Sequence, residues 1–149
     1  MGFTLEILDK AGPTEYKDIQ KLAIQLGENH LGKVSGEQKY IEHVIDNHFA
    51  KIVVARDENA RIVGMATVIL VTKIAYDEAH IEDVVVDESM RGQGLGKAIM
   101  QMAIETAWSM GADKIELTSR ASREAANALY QKLGFKLRKT NVYILKKGN

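Results

Sequence analysis

The chain has 149 residues and equal numbers of Lys+Arg and Asp+Glu, 20 of each, so its formal net charge is zero and no excess of cations argues for nucleic acid or an anionic membrane as partner. Its apolar fraction of 46% is enough to bury one core, which predicts a single domain over residues 1–149. It has no cysteine, and His30, His43, His48 and His80 lack metal-ligand spacing, so disulfides, a cysteinyl intermediate and a resident metal are not expected.

Phe3 to Leu8 reads as a short strand. "GPTEYKDIQKLAIQLG" predicts a helix opened by Pro13 and stopped by Gly27, with Ile19, Leu22, Ala23 and Leu26 on one face. "ENHLGKVSG" reads as a loop, after which Ser35 and Gln38 suit the cap of a second helix running to about Asn47. "KIVVARD" and "RIVGMATVILVTK", joined by "ENA", predict a β-hairpin. "AHIEDVVVDE" is a further strand, whose apolar middle suits a centre covered on both faces.

A helix follows the glycines of "RGQGLGKA", with Leu95, Ala98, Ile99, Met102, Ala103 and Thr106 on one side and Gly111 at its end. "KIELTS" is the next strand. "SREAANALYQKLG" is a helix capped by Ser122 and stopped by Gly134, with Ala125, Leu129 and Leu133 in register. "FKLRKTNVYILKK" reads as a closing strand, suited to pairing between subunits in a homodimer. This order predicts a mixed α/β sheet with helices on both faces. No apolar run approaches the roughly 20 residues that span a bilayer. "MGFTLEILDK" lacks an export pattern, so a cytoplasmic protein without membrane partners is expected.

A glycine loop between a strand and a helix suits an anion. The nucleotide loop Gly-x4-Gly-Lys-Ser/Thr requires glycine where Arg91 stands and a hydroxyl where Ala98 stands. The dinucleotide pattern GxGxxG, begun at Gly92 and Gly94, requires glycine at Lys97. Both fail. What remains is Arg91-x-x-Gly94-x-Gly96 at a helix N-terminus, where free backbone N–H groups and the helix dipole favour a pyrophosphate. Arg91 and Lys97 add charge.

Arg91-x-x-Gly94-x-Gly96 after "IEDVVVDE", followed downstream by "EAANALYQKLGF", resembles the acyl-CoA motif and the tyrosine-helix signature of the GNAT superfamily of N-acyltransferases. The resemblance covers roughly the second half of the chain. It implies a mostly antiparallel central sheet flanked by helices on both faces, and acetyl-CoA as acyl donor. It implies that the pyrophosphate sits on the backbone of Gly92, Gln93, Gly94, Leu95, Gly96 and Lys97. The pantetheine arm would lie along Val84, Val85 and Val86 as an added strand, admitted by a bulge.

The same resemblance makes Tyr130 the acid that protonates the departing sulfur, and gives Asn127 a contact to the CoA arm. A phenol, with an ordinary pKa of about 10, is protonated at neutral pH. For the base, Glu82 lies where related diamine acetyltransferases carry a glutamate, while His80, Asp83 or a water remain alternatives. In a regular strand His80 and Glu82 share a face and Asp83 takes the other, unless a bulge reverses it. The acceptor region would draw on Glu28, Asn29, His30, Lys33 and Tyr40. A small amine or amino sugar is the expected acceptor. The alternatives are a protein N-terminus or lysine, or a non-catalytic CoA-binding sensor.

Overall fold

The computed structural model describes residues 2–27 and 38–148. Ser35, Glu28, Asn29, His30 and Lys33 lie outside the described residues. The chain divides into two compact units, residues 1–118 and 119–149.

In the first unit the elements are β1 (Thr4–Ile7), α1 (Pro13–Gln25), α2 (Gln38–Ile45), β2 (Ala50–Arg56), β3 (Ile62–Thr72), β4 (Asp77–Val86), α3 (Leu95–Ser109) and β5 (Lys114–Glu116). The sheet order is β1-β2-β3-β4-β5, antiparallel except for the parallel pair β4–β5. This is the mixed, mostly antiparallel sheet that the sequence predicts. Pro13 opens α1, and the Glu15 carboxylate accepts from the Gly12 N–H at 3.0 Å, closing the first turn. Asp57 nucleates the β2–β3 turn by accepting from the N–H groups of Asn59 and Arg61.

Helices cover both faces of the sheet. On one, Tyr16, Ile19 and Leu22 of α1 and Ile41 of α2 form a core with Ile52, Val54, Met65 and Val85. On the other, a Cβ built on Gly64 would lie 2.5 Å from Ile99 and 3.6 Å from Leu95, both on α3. Gly64 and Met65 are successive strand residues, so they point to opposite faces. Asp18 of α1, 5% exposed, locks the first face by accepting from the Arg61 guanidinium and the Ile62 N–H.

One expectation needs correction in detail. The buried row of α3 is Leu95, Ile99, Ala103 and Ala107 with Met100 and Thr106, so Met100 and Ala107 take the places expected of Ala98 and Met102. Apolar residues flank that row on both sides, and periodicity alone cannot choose between them. Among the described residues, no helix is long and apolar enough to cross a membrane.

The second unit contains α4 (Glu124–Lys132), stopped at Gly134, whose φ is 100°. Ser122 does not cap it. The N-cap position is Arg123, without a side-chain cap, and the Asn127 amide instead donates to the Arg120 carbonyl at 3.0 Å. The closing strand is not formed: residues 135–146 carry no ladder, and Leu137, Val142, Tyr143, Ile144 and Leu145 are exposed. Strand propensity needs a neighbouring edge, and among the described residues of this unit the one regular element is a helix.

Candidate active site

The site is built on β4. Its register against β3 runs Val68↔Ile81 and Thr67↔Glu82, then resumes at Met65↔Val85. Two residues, Asp83 and Val84, therefore oppose Ala66 alone, which is a β-bulge. Asp83 occupies the left-handed region, with φ of 55°. Asp and Asn enter that region more readily than other residues with a Cβ.

The bulge decides which side chains meet. Thr67 shares the Met65 face, toward α1, and directly paired residues of an antiparallel ladder point the same way. Pairing to Ile69 and Thr67 puts His80 and Glu82 on that face. A regular strand would turn Asp83 away. Instead its carboxylate accepts from the Thr67 hydroxyl at 3.0 Å, so His80, Glu82 and Asp83 all lie toward the α1 side. The expected alternation is reversed at Asp83.

The parallel ladder to β5 ends at His80↔Glu116, while β4 runs on to Val86. Val85 is buried in the core and Val84 and Val86 are half-buried. Beyond them Asp87, 6% exposed, accepts from the Ser89 N–H and hydroxyl and from Gln25 of α1, with Lys21 Nζ 3.1 Å away. Gln25 in turn accepts from the Glu88 N–H. The last turn of α1 thus latches the start of the glycine loop.

Arg91, Gly92, Gln93, Gly94 and Lys97 are exposed, Gly96 is half-buried, and the Leu95 side chain is 1% exposed. Leu95 can offer only its backbone to a ligand. Gly92 and Gly94 have φ of 77° and 81°, and a Cβ on either would meet nothing within 4 Å. Gly94 is the N-cap of α3, and no side chain caps that helix. A loop with open space before it and uncapped N–H donors fits a pyrophosphate.

One group at the start of β4 escaped sequence reasoning. Glu78, fully buried, accepts from Lys73 at 2.7 Å and shares a hydrogen bond with His80 Nε2 at 2.7 Å, with Lys114 Nζ 3.4 Å away. Burial pushes its pKa up, yet hydrogen bonds from Lys73, Glu116, His80 and Lys114 outweigh burial and hold it below the usual carboxylate range. Glu78, His80 and Glu116 have donor atoms within 4.8 Å of one another, spacing that can hold a metal ion. Two ammonium groups already engage Glu78, which argues for a charge network rather than a cation site. The Asp-x-Ser spelling of Asp87 and Ser89 was a signal for the loop latch.

Tyr130 and Asn127 stand on α4, in the second unit. Tyr130 is 5% exposed, and its ring meets Phe135 edge-on at 6.2 Å. Burial holds its phenol above the ordinary value, partly offset by Arg123. Tyr40, on α2, is half-buried with Lys39 Nζ 5.7 Å from its ring.

A bulged strand leading into an uncapped, glycine-opened helix is the framework of an acyl-CoA-binding fold. Residues 18–135 match the acetyltransferase (GNAT) family, and the chain belongs to that family. Glucosamine 6-phosphate N-acetyltransferase of Trypanosoma brucei brucei is 43% identical over 79 residues, 51% of this chain and 52% of that protein. The ribosomal protein bS18-alanine N-acetyltransferase of Escherichia coli K12 is 36% identical over 72 residues, 48% and 49% of the two chains. These matches span about half the length of either relative. A crystal structure of a Trypanosoma brucei acetyltransferase superposes with a TM-score of 0.78 at 28% identity, covering 97% of this chain and 100% of that one.

Proposed function

We propose that the protein is an acetyl-CoA-dependent N-acyltransferase that moves an acetyl group to a primary amine by direct attack in a ternary complex. The observation that carries this is the bulge at Asp83, set on the strand that runs directly into the uncapped N-terminus of α3. Backbone N–H groups of Gly92, Gln93, Gly94, Leu95, Gly96 and Lys97 hold the pyrophosphate, helped by Arg91 and Lys97. Val84, Val85 and Val86 receive the pantetheine arm, and Asn127 contributes to the arm's binding.

Glu82 takes the proton from the amine, whose nitrogen forms the bond to the acetyl carbon. The carbon–sulfur bond breaks, and Tyr130 gives its phenolic proton to the sulfur; both side chains recover their starting state by exchange with solvent. Burial of Tyr130 keeps that proton in place at neutral pH. Chemistry through a cysteinyl intermediate is closed to a chain without cysteine.

The acceptor is a small amine or amino sugar. Its support is relatives whose names specify glucosamine 6-phosphate and L-2,4-diaminobutyric acid, the latter 33% identical over 95 residues. The bS18-alanine relative supports a protein N-terminus as the alternative. A second reading of the base rests on the 2.7 Å contact between Glu78 and His80 Nε2. If that nitrogen donates, Nδ1 is left as an acceptor and His80 is the base.

The test is thiol release from acetyl-CoA with glucosamine 6-phosphate, 2,4-diaminobutyrate and an alanine-initiated peptide, run on the wild type, Tyr130→Phe, Glu82→Gln and His80→Gln. Tyr130→Phe is expected to lower kcat on the order of 100-fold with KM for acetyl-CoA nearly unchanged. Loss of the acidic limb of the pH–rate profile in Glu82→Gln or His80→Gln identifies the base. Acetyl-CoA binding without turnover on any amine would make the protein a sensor instead.

A further inference from the structure

Glu78 and His80 differ in what they can reach. The Glu78 side chain is 0% exposed, so a substrate does not touch it, whereas that of His80 is 35% exposed. They stand two apart on β4 and so share a face, directly opposite Lys114 and Glu116 of β5. The two oxygens of Glu78 have separate partners. Oε2 accepts from Lys73 Nζ at 2.7 Å and lies 3.4 Å from Lys114 Nζ, while Oε1 meets His80 Nε2 at 2.7 Å. Both ammonium groups also sit over the Tyr76 ring, 5.1 and 4.4 Å from its centroid.

This division settles where a proton lies. Two cations at one oxygen keep the carboxylate ionised, and an ionised carboxylate only accepts. The proton between Glu78 and His80 therefore belongs to Nε2. In a neutral imidazole one nitrogen donates and the other accepts, so Nδ1 holds the lone pair. Glu116 Oε2, 3.8 Å from Nε2, is beyond hydrogen-bond reach of that nitrogen. Across β3 the facing residue is Ile69, and among the described residues no hydrogen bond engages Nδ1.

We infer that Glu78 is a positioning residue for the transfer: its carboxylate holds the His80 proton on Nε2 and leaves the Nδ1 lone pair to take a proton from the acceptor amine. This rests on the reading of His80 as the base. The amine proton passes to Nδ1 as the amine nitrogen bonds to the acetyl carbon, the carbon–sulfur bond breaks, and the sulfur takes the Tyr130 proton. Glu78→Gln inverts the arrangement. Its amide oxygen must face the two ammonium groups, which only donate, so its NH2 points at Nε2 and drives the ring proton to Nδ1. A base held in the wrong tautomer loses orders of magnitude in rate even where geometry is kept.

The test reads the tautomer from long-range 1H–15N spectra of the full chain labelled at histidine nitrogen, in alkaline buffer, with the His80 signals assigned by their loss in His80→Gln. Thiol release from acetyl-CoA with the same amines is measured alongside. The wild type is expected to carry the proton on Nε2. Glu78→Gln is expected to carry it on Nδ1 and to lower kcat on the order of 100-fold, with KM for acetyl-CoA within about twofold. In the His80→Gln background the same change should alter kcat by less than about twofold, because Glu78 acts through the ring. The wild-type spectrum is decisive even where Glu78→Gln fails to fold. A wild type without a proton on Nε2, whether it sits on Nδ1 or a cation occupies Nε2, overturns the role of Glu78. The expected tautomers with an unchanged kcat in His80→Gln overturn instead the reading of His80 as the base, and the inference with it.

Discussion

The two ends of β4 are held by different chemistry. At its start, Glu78 is a fully buried carboxylate engaged by two ammonium groups and an imidazole. Immediately after its end, Asp87 is held chiefly by a hydroxyl, a backbone N–H and an amide, with Lys21 at the edge. The first end fixes the strand through desolvated charge, which is costly when unbalanced. The second fixes the loop through directed donors, which set geometry more than energy. Between them lies Asp83, where the strand departs from regular pairing.

The largest effect should come from unbalancing the first end. Lys73→Met combined with Lys114→Met strips both ammonium groups from Glu78 and leaves a buried carboxylate facing only His80 and Glu116. A loss of about 3 kcal/mol is expected in urea unfolding. Adding Glu78→Gln should recover part of it, because the uncompensated charge goes. A double variant as stable as the wild type would remove the distinction between the two ends.

Asp87→Asn comes next, at about 1–2 kcal/mol, with KM for acetyl-CoA rising because the glycine loop loses its latch to α1. The pH dependence has a definite sign. The Ser89 hydroxyl is the largest cause holding the Asp87 carboxyl below the usual range; burial opposes it, while the Ser89 N–H, Lys21 and Gln25 add to it. Unfolded carboxyls titrate near pH 4. The Asp87 contribution is therefore complete above that value and is lost as pH falls through the folded-state pKa. Stability should drop below about pH 4 less steeply in Asp87→Asn than in the wild type, as urea midpoints across pH 3–6 would reveal.

Much of this frame is legible in the sequence. Pro13, Gly111 and Gly134 mark helix ends because their backbone constraints are local, and the β2–β3 hairpin follows from alternation with a turn. The glycine loop was readable by counting spacings against its rivals. The closing strand was misread because pairing depends on an edge elsewhere, which residue pattern does not encode. Glu78 was hidden for a related reason: its partners come from positions 73 and 114, which only the parallel pairing of β4 and β5 unites. The bulge turns on one dihedral angle, and its only trace in sequence is an aspartate where left-handed backbone is tolerated.

That aspartate supports the sharpest and smallest test of the middle against the ends. Asp83 has two separable roles, backbone tolerance at φ 55° and acceptance from Thr67. Asp83→Asn keeps both the tolerance and an oxygen acceptor, so stability should change by less than about 0.5 kcal/mol. Asp83→Val combines branching at Cβ with loss of the acceptor, and should cost about 2 kcal/mol. If Asp83 only shapes the bulge, the asparagine variant keeps thiol release from acetyl-CoA within a few-fold of the wild type. If Asp83 is the base, that variant folds normally and loses turnover. Because the fold is preserved in either case, the difference in rate reads the chemistry of the middle of β4 separately from the anchoring of its ends.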